Sequence, residues 1–229
     1  EAALAGLLAA LGPIRDAQKK QLVDEVRRLA EKGRLSDLAG LTVDTGDAAD
    51  AISKAMEDLA ALAAGRVVAE AADQGVAVTP HTPPTADLAE VAAVAAASMG
   101  QLLGLSATAA AMRANGPAAT AEEVADAVET ALDVLTDAVP ADWCGGALTG
   151  AQNAARVETL RAGPVGSVYA KETNDRNTCG PCSAVNGTWL GNTDQMDMVL
   201  ASYPGGAYGG YVGCLGRERC RGTICGVWR

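Results

Sequence analysis

The sequence predicts a mainly α-helical protein, in which a long-helix body is followed by a small cysteine-stabilised α+β module. Two observations predict the body: alanine is abundant while phenylalanine is absent, and apolar side chains recur every three or four residues. Small side chains bury little area each, so such a chain gains core free energy mainly by packing helices closely. After Pro164, glycine, cysteine and aromatic residues replace alanine. We therefore expect a helical body over residues 1–163 and a module over residues 164–229.

The helices of the body are predicted from apolar spacing and from the residues that begin or end each one. Pro13 suits a first helical turn, and Gly33 suits a helix end. Thr120 and Glu123 fit a capping box at the start of a later helix. The clearest apolar stripe belongs to the second helix and comprises Ile52, Met56, Leu59, Ala63 and Val67. We expect helices over about residues 12–33, 47–73, 86–105, 106–114, 120–140 and 146–161.

A stretch without charge runs from Val91 to Met112 and is long enough to span a bilayer. It consists mostly of small residues, with few of the strongly inserting leucine, isoleucine or phenylalanine side chains. We therefore expect a buried helix pair in a soluble protein with no membrane partner. The residues expected to face inwards here are Leu88, Val91, Ala95, Met99 and Leu102. The segment before it, residues 78–85, contains three prolines and is predicted to be a linker.

The module is predicted to contain two short strands, at residues 165–172 and 222–229, with one short helix at residues 192–202 between them. Glycines at residues 205, 206, 209 and 210 are expected to allow tight turns. The tyrosines beside them, Tyr203, Tyr208 and Tyr211, are expected to pack on the module.

Charge divides along the same boundary. Residues 1–170 carry 12 basic and 23 acidic side chains, whereas residues 171–229 carry 6 and 5. An acidic body disfavours binding along DNA, which depends on basic side chains that release counterions from phosphates. The module has a small basic patch formed by Arg217, Arg219 and Arg221. It is either a solvated loop or a contact for DNA phosphates.

Four cysteines of the module form two pairs with the order expected of a zinc site. The first pair is separated by two residues, the second by five, and 31 residues lie between the pairs. Tetrahedral zinc takes four such ligands, commonly as two short-range pairs on turns. A module poor in large apolar residues would need such a staple to fold. The predicted structural Zn²⁺ ligands are Cys179, Cys182, Cys214 and Cys220.

Other interpretations of the cysteines stay open. Cys225 is a rival fourth ligand, because the spacing of the second pair is longer than usual. Disulfides are the main alternative, since six cysteines is an even number and conditions outside a cell are oxidising. A thioredoxin-like redox pair would need a helix after a buried strand, a context that the sequence before Cys179 does not indicate. Cys144, beside Trp143, is predicted to be a buried small apolar residue.

The sequence contains few residues for catalysis, and we expect no enzyme activity. The single histidine, His81, lies in the proline-rich linker, away from every cysteine in sequence. A cysteine–histidine nucleophile or a histidine-bearing zinc nuclease is therefore not indicated. Glu172 and Asp175 flank the first cysteine pair and could serve as acid and base, but turn capping is the commoner use of such residues.

Two blocks of the module together resemble a known family, the Mu F-like minor head proteins of tailed phages, and most of all those of actinobacteriophages. The first block is "YAKETNDRNTCGPCSAVNGTWL" and the second is "YPGGAYGGYVGCLGRERCRGT". The matching residues of the first block are Glu172, Asp175, Thr178, Cys179, Pro181, Cys182 and Gly187. Those of the second are Tyr203, Pro204, Gly209, Gly210, Tyr211, Cys214, Arg219, Cys220, Arg221, Gly222 and Thr223. Cys225 and Cys144 are not part of the pattern.

The resemblance implies a minor structural protein inside the phage head, acting in head assembly or in DNA packaging and ejection. Its expected partners are the portal protein and the major capsid protein, with several copies per virion near the portal vertex after assembly in the host bacterial cytoplasm. Glu1 in place of Met leads us to expect release from a larger head protein by cleavage. The alternatives are a phage-encoded enzyme (a head maturation protease, nuclease or toxin fragment) and a cellular zinc-ribbon-like interaction module.

Overall fold

The computed structural model describes residues 2–135, 138–203, 210–217 and 220–228, and of residues 138 and 139 only the backbone. Helix accounts for 66% of the chain and strand for 7%, so the mainly α class with a small C-terminal strand region is confirmed. The predicted turn glycines at residues 205, 206 and 209, together with Tyr208, lie outside the described residues.

Helix α1 (Ala2–Glu31) begins ten residues before its predicted start. The prediction that Pro13 opens the helix was wrong, because buried Leu7 and Leu11 extend the apolar face towards the N-terminus. This burial offsets the backbone hydrogen bond that a proline inside a helix removes. Gly33 ends the helix as predicted, with a φ of +64°. A 3-10 turn (Leu35–Gly40) leads on to α2.

Helix α2 (Gly46–Ala72) matches its prediction to within one residue at each end. Four of the five predicted stripe residues are buried, and Leu59 is partly buried. Gly75, with a φ of +75°, follows the end of the helix. The predicted linker has no regular structure up to residue 84, and the next helix begins at its last residue. The linker is held in place, since the Thr159 hydroxyl donates to the His81 carbonyl at 2.8 Å.

Helix α3 (Thr85–Ala114) is one continuous helix, so the expected pair of helices was wrong. Gly100 and Gly104, which weaken a helix pattern in sequence, are buried and let the loop before α2 approach. A Cβ on Gly104 would lie 3.1 Å from the Leu41 carbonyl oxygen. Val91 and Leu102 are only partly buried. Among the described residues, α3 alone has the length and composition to cross a bilayer, and 44% of its most apolar window is buried within the protein.

Helix α4 (Ala121–Asp133) begins with the predicted capping box: Glu123 donates its amide to the Thr120 hydroxyl at 3.2 Å, and the Thr120 amide donates to the Glu123 carboxylate at 2.8 Å. The expected continuation to residue 140 was wrong. Helix α5 (Ala138–Arg161) starts eight residues earlier than predicted. Pro140 lies in its first turn, where a backbone amide needs no helical partner.

The module contains a three-stranded antiparallel sheet, in which residues 167–171 (β1) lie between residues 189–192 (β2) and residues 223–227 (β3). Strands β1 (Ser167–Lys171) and β3 (Thr223–Val227) fall within their predicted ranges. Helix α7 (Met196–Ser202) also does. Sequence analysis missed strand β2 (Trp189–Asn192) and the single turn of helix α6 (Gly180–Val185).

Three apolar clusters form the core. The first lies among α1, α2, α3 and α5, and the second among α1, α3 and α4. The third joins the predicted units, because Val67 of α2 and Leu160 of α5 pack with Val168 and Ile224 of the sheet. A boundary near residue 163 stays a prediction, but the helices and the sheet share this core.

Side chains of the body also bind the open edge of β3. Asn153 donates to the Gly222 carbonyl at 3.0 Å, Arg156 to that of Ile224 at 2.5 Å, and Gln74 to that of Gly226 at 3.2 Å. Carbonyls at alternate positions of a strand point to the same side, and these would otherwise be an unpaired sheet edge. The module is therefore fixed to the body by hydrogen bonds as well as by apolar contact.

Candidate metal centre in the C-terminal module

A capped turn positions the first cysteine pair. The Asp175 carboxylate accepts hydrogen bonds from the Asn177 amide at 2.9 Å and from Arg221 at 2.8 Å. Asp175 is thus the turn cap that sequence reasoning favoured over a catalytic role. The chain then enters α6, with Cys179 as its N-cap and Pro181 in the first turn. One helical turn brings both sulfurs to the same side.

The four predicted ligands come together. The Cys179 and Cys214 sulfurs are 3.8 Å apart, and those of Cys182 and Cys220 are 3.9 Å apart. Each of these contacts joins the first cysteine pair to the second. The four sulfurs form a cluster with separations of 3.5–3.9 Å that can hold a metal ion.

The separations fit a tetrahedral ion. With metal–sulfur bonds of about 2.3 Å, as for zinc, the corners of a regular tetrahedron lie about 3.8 Å apart. A disulfide requires sulfurs at about 2.0 Å, and all six cysteines are free thiols. The arrangement of the sulfurs is therefore that of a metal-ligand set rather than that of two covalent bridges.

Backbone amides surround the sulfurs. Amides of Cys182 and Leu215 donate to Cys179, whose pKa falls to about 7. The Gly216 amide donates to Cys214 at 3.3 Å. The Tyr211 amide donates to Cys220 at the same distance. Such hydrogen bonds favour the thiolate form that binds metals.

Burial acts in the opposite direction on the deeper thiols. It raises the pKa of Cys182 and, less strongly, that of Cys214. A bound divalent cation would reverse this tendency, because it displaces the protons of its ligand thiols into solvent. The backbone amide donors therefore stabilise thiolates, whereas burial destabilises them. A cation bound among the sulfurs would offset the cost of burying the negative charge.

The other two cysteines lie elsewhere. Cys225 pairs with Tyr169 between β3 and β1, and its thiol contacts the Tyr169 carbonyl at 3.7 Å. It is not among the clustered sulfurs, so its candidacy as the fourth ligand is not supported. Cys144 is fully buried among helix side chains, as predicted, and burial raises its pKa to about 11.

Glu172 has a role that sequence analysis missed. It is only 4% exposed, and the fully buried Tyr203 donates its hydroxyl to the carboxylate at 2.5 Å. A carboxylate oxygen and the sulfurs of Cys182 and Cys220 all lie within 4.8 Å of one another. The carboxylate is therefore part of the cluster's immediate surroundings and does not cap a turn. The sequence signal was the presence of both Glu172 and Tyr203 in the family pattern.

Two glycines of the same pattern are required by close approach. A Cβ on Gly222 would overlap the Glu172 carboxylate, and one on Gly210 would overlap the Cys220 sulfur. Only glycine lets the backbone pass so near to these groups. The sequence pattern marks both glycines, but the close contacts that require glycine there become apparent only in the structure.

The structure also bears on two other interpretations of the sequence, the redox cysteine pair and the basic patch. The statement that helical context is missing around Cys179 was wrong, because α6 begins there; the sheet beside it is antiparallel, unlike a βαβ unit. Of the predicted phosphate-contacting arginines, Arg221 pairs with Asp175 and Arg217 is exposed. Arg219 lies outside the described residues.

Comparisons with family models, curated proteins and solved structures found no match. The functional interpretation therefore depends on the residues of the module and on their geometry.

Proposed function

We propose that the protein is a minor structural component of a tailed-phage head, without catalytic activity, whose C-terminal module is stabilised by a zinc ion. It would lie inside the head near the portal vertex, with the portal protein and the major capsid protein as partners. The helical body would supply the partner surfaces, and the module would be a rigid docking unit.

Contacts between the two sequence blocks support this proposal most directly. Asp175 pairs with Arg221, Glu172 binds Tyr203, and the sulfurs of one cysteine pair meet those of the other. These residues belong to the pattern that resembles the Mu F-like family. A pattern of unrelated surface residues would have no reason to converge on one cluster of contacts.

Zinc is proposed from the ligand set. Four thiolates at tetrahedral separations are typical of structural zinc sites, in which all four positions belong to the protein. A closed set of this kind leaves no position for a substrate. The metal would stabilise the loops that carry the cysteines and would supply no chemistry.

The location is tested on purified virions of the phage that encodes the chain. Quantitative mass spectrometry should find the protein in a few copies per particle, with the portal protein as the internal standard. Uninfected host cells are the control. Absence from virions, or equal abundance in uninfected cells, would reject the phage proposal and favour a cellular interaction module.

The metal is tested on the recombinant protein by elemental analysis and thiol counting. We expect one zinc per chain, with zinc lost from Cys182→Ser and retained by Cys225→Ser, which is matched in chemistry but outside the cluster. After denaturation in a chelator, all six thiols should react. Two disulfides across the cluster would leave only Cys144 and Cys225 reactive, so a count of two would reject the metal site.

A further inference from the structure

A cavity of about 340 Å³ lies where α2 and α5 meet the sheet, away from the four clustered cysteines. Its charged lining comprises Arg66 and Glu70 of α2, Arg156 of α5 and Lys171 of β1. Three cations and one carboxylate give this lining a formal charge of +2, in a chain whose net charge is −10. The remaining lining residues are Ala63, Gln152, Thr223 and Cys225.

Helical spacing explains why the charges converge. Residues 66 and 70 are four apart on α2, and residues 152 and 156 are four apart on α5, so each pair lies on one helix face. The two faces meet across the ion pair between the buried Arg156 and the partly exposed Glu70, whose atoms are 2.5 Å apart. The ends of β1 and β3 complete the wall.

Arg156 is a buried cation with an unused donor group. It is 4% exposed, and it donates through Nε to the Ile224 carbonyl and through Nη2 to Glu70. Within the described part of the chain its Nη1 group has no hydrogen-bond partner. No fully buried side-chain nitrogen or oxygen there lacks a partner, so Nη1 keeps some accessible surface, and Arg156 is among the residues that line the cavity. A guanidinium presents its donors in a fixed fork, which leaves this one available to a ligand.

The other two cations are also uncommitted. Neither Arg66 nor Lys171 forms an ion pair or side-chain hydrogen bond with any described residue, and both are exposed. Arginine and lysine are the usual partners of phosphate oxygens. The cavity volume falls within the range of pockets that hold small molecules.

We propose that this cavity binds a small phosphate monoester. A dianionic phosphate would neutralise the lining charge of +2, whereas a single carboxylate would leave half of it. The ligand's organic group would occupy the part of the cavity beside Ala63 and Cys225. The proposal is independent of the metal site and of the phage assignment, because neither the clustered cysteines nor the family pattern supplies its cations.

Isothermal titration of the full chain tests the affinity, with glycerol 3-phosphate as the probe at constant ionic strength. Arg66→Gln and Lys171→Gln should each weaken binding by about tenfold, as expected for the loss of one charge-assisted hydrogen bond. Arg113→Gln is the control, because it makes the same charge change on α3 at a residue that does not line the cavity. It should leave the affinity unchanged. Equal loss in all three variants, or no binding by the unmodified protein, would overturn the proposal.

The reactivity of Cys225, which lines the cavity, reports directly on whether a ligand occupies it. Among the cysteines it alone falls in the tryptic peptide of residues 222–229, so its rate of alkylation can be followed by mass spectrometry. Glycerol 3-phosphate should slow that alkylation, and Lys171→Gln should raise the concentration needed for half-maximal protection by about tenfold. Equal protection by succinate would overturn the assignment to phosphate, and an unchanged rate would overturn the site.

Discussion

Replacing Tyr203 by phenylalanine should destabilise the module, because the change removes a hydrogen bond to a buried carboxylate. The Tyr203 hydroxyl donates to Glu172 at 2.5 Å. The tyrosine is fully buried and the carboxylate nearly so. Water therefore cannot replace the lost donor easily. Phenylalanine keeps the ring and its contact with Tyr211, whose ring centroid lies 5.8 Å away, so the change isolates the hydroxyl.

The magnitude follows from the character of the bond. A hydrogen bond to a charged group contributes about 1.5–3 kcal/mol, and a buried partner left without its donor adds a desolvation cost. We expect the free energy of unfolding to fall by about 2–3 kcal/mol. For a chain of this length that corresponds to a loss of about 4–12 °C in Tm.

Urea unfolding of the metal-loaded protein measures the effect. Tyr203→Phe, Glu172→Gln and the double variant form a cycle, in which the coupling between the two side chains should be about 1–2 kcal/mol. Tyr211→Phe is the matched control, because its hydroxyl makes no hydrogen bond with the described residues. A change of less than about 0.5 kcal/mol in Tyr203→Phe, or one no larger than in the control, would refute the reasoning.

Four further substitutions have expected effects that differ in sign or in the quantity measured. Gly65→Ala should raise the free energy of unfolding by up to about 1 kcal/mol, because a Cβ at this position meets nothing within 4 Å. Gly100→Ala should lower the free energy of unfolding, because a Cβ there would lie 2.6 Å from a loop side chain. Urea unfolding measures both changes, and changes of the same sign would contradict this reasoning. Thr120→Ala should cost about 1 kcal/mol, measured in the same way, through loss of the capping box. Arg221→Gln should raise the pKa of Asp175 from about 2 towards its ordinary value, since Arg221 is the main cause of the lowering. The stability that comes from the lowered pKa of Asp175 is present above about pH 4 and is lost as the pH falls through about 2. Arg221→Gln should therefore lose less stability over this pH range than the unmodified protein. NMR titration of the carboxyl group measures the pKa directly.

Local signals predicted helix α2 and the start of α4 well. An apolar stripe, a capping box and a terminal glycine act over a few residues, so their effect can be inferred without knowing the fold. The helices that were predicted wrongly are those in which packing overrides such signals. Pro13 lies inside α1 because Leu7 and Leu11 are buried beyond it, and that burial depends on α2 and α5.

The glycines of α3 are a second case in which tertiary packing overrides the local sequence signal. In sequence, Gly104 followed by Ser106 favours a break between two helices. In the structure, Gly100 and Gly104 are the positions at which the preceding loop crosses the helix closely. A glycine that ends a helix and one that admits a neighbour are indistinguishable until the neighbour is known.

The cysteine cluster was predictable, whereas its surroundings were not. Ligand spacing is a local property, and it selected the four sulfurs that meet. The exclusion of Cys225 depends on strand register, which places it opposite Tyr169 in the sheet. The bond between Glu172 and Tyr203 joins residues 31 positions apart. Register and long-range pairing are set by the whole fold, so no local pattern could supply them.

The two ends of the module are held by different interactions. At one end, side chains of the helical body bind alternate carbonyls from Gly222 to Gly226, and Leu160 packs against the sheet. At the other end, α6 and the chain around Cys214 and Cys220 contribute few large apolar side chains to any of the three clusters. Sulfur atoms take the place of an apolar core there. Loss of the proposed metal ion should therefore loosen the cysteine loops while the sheet stays attached to the helical body.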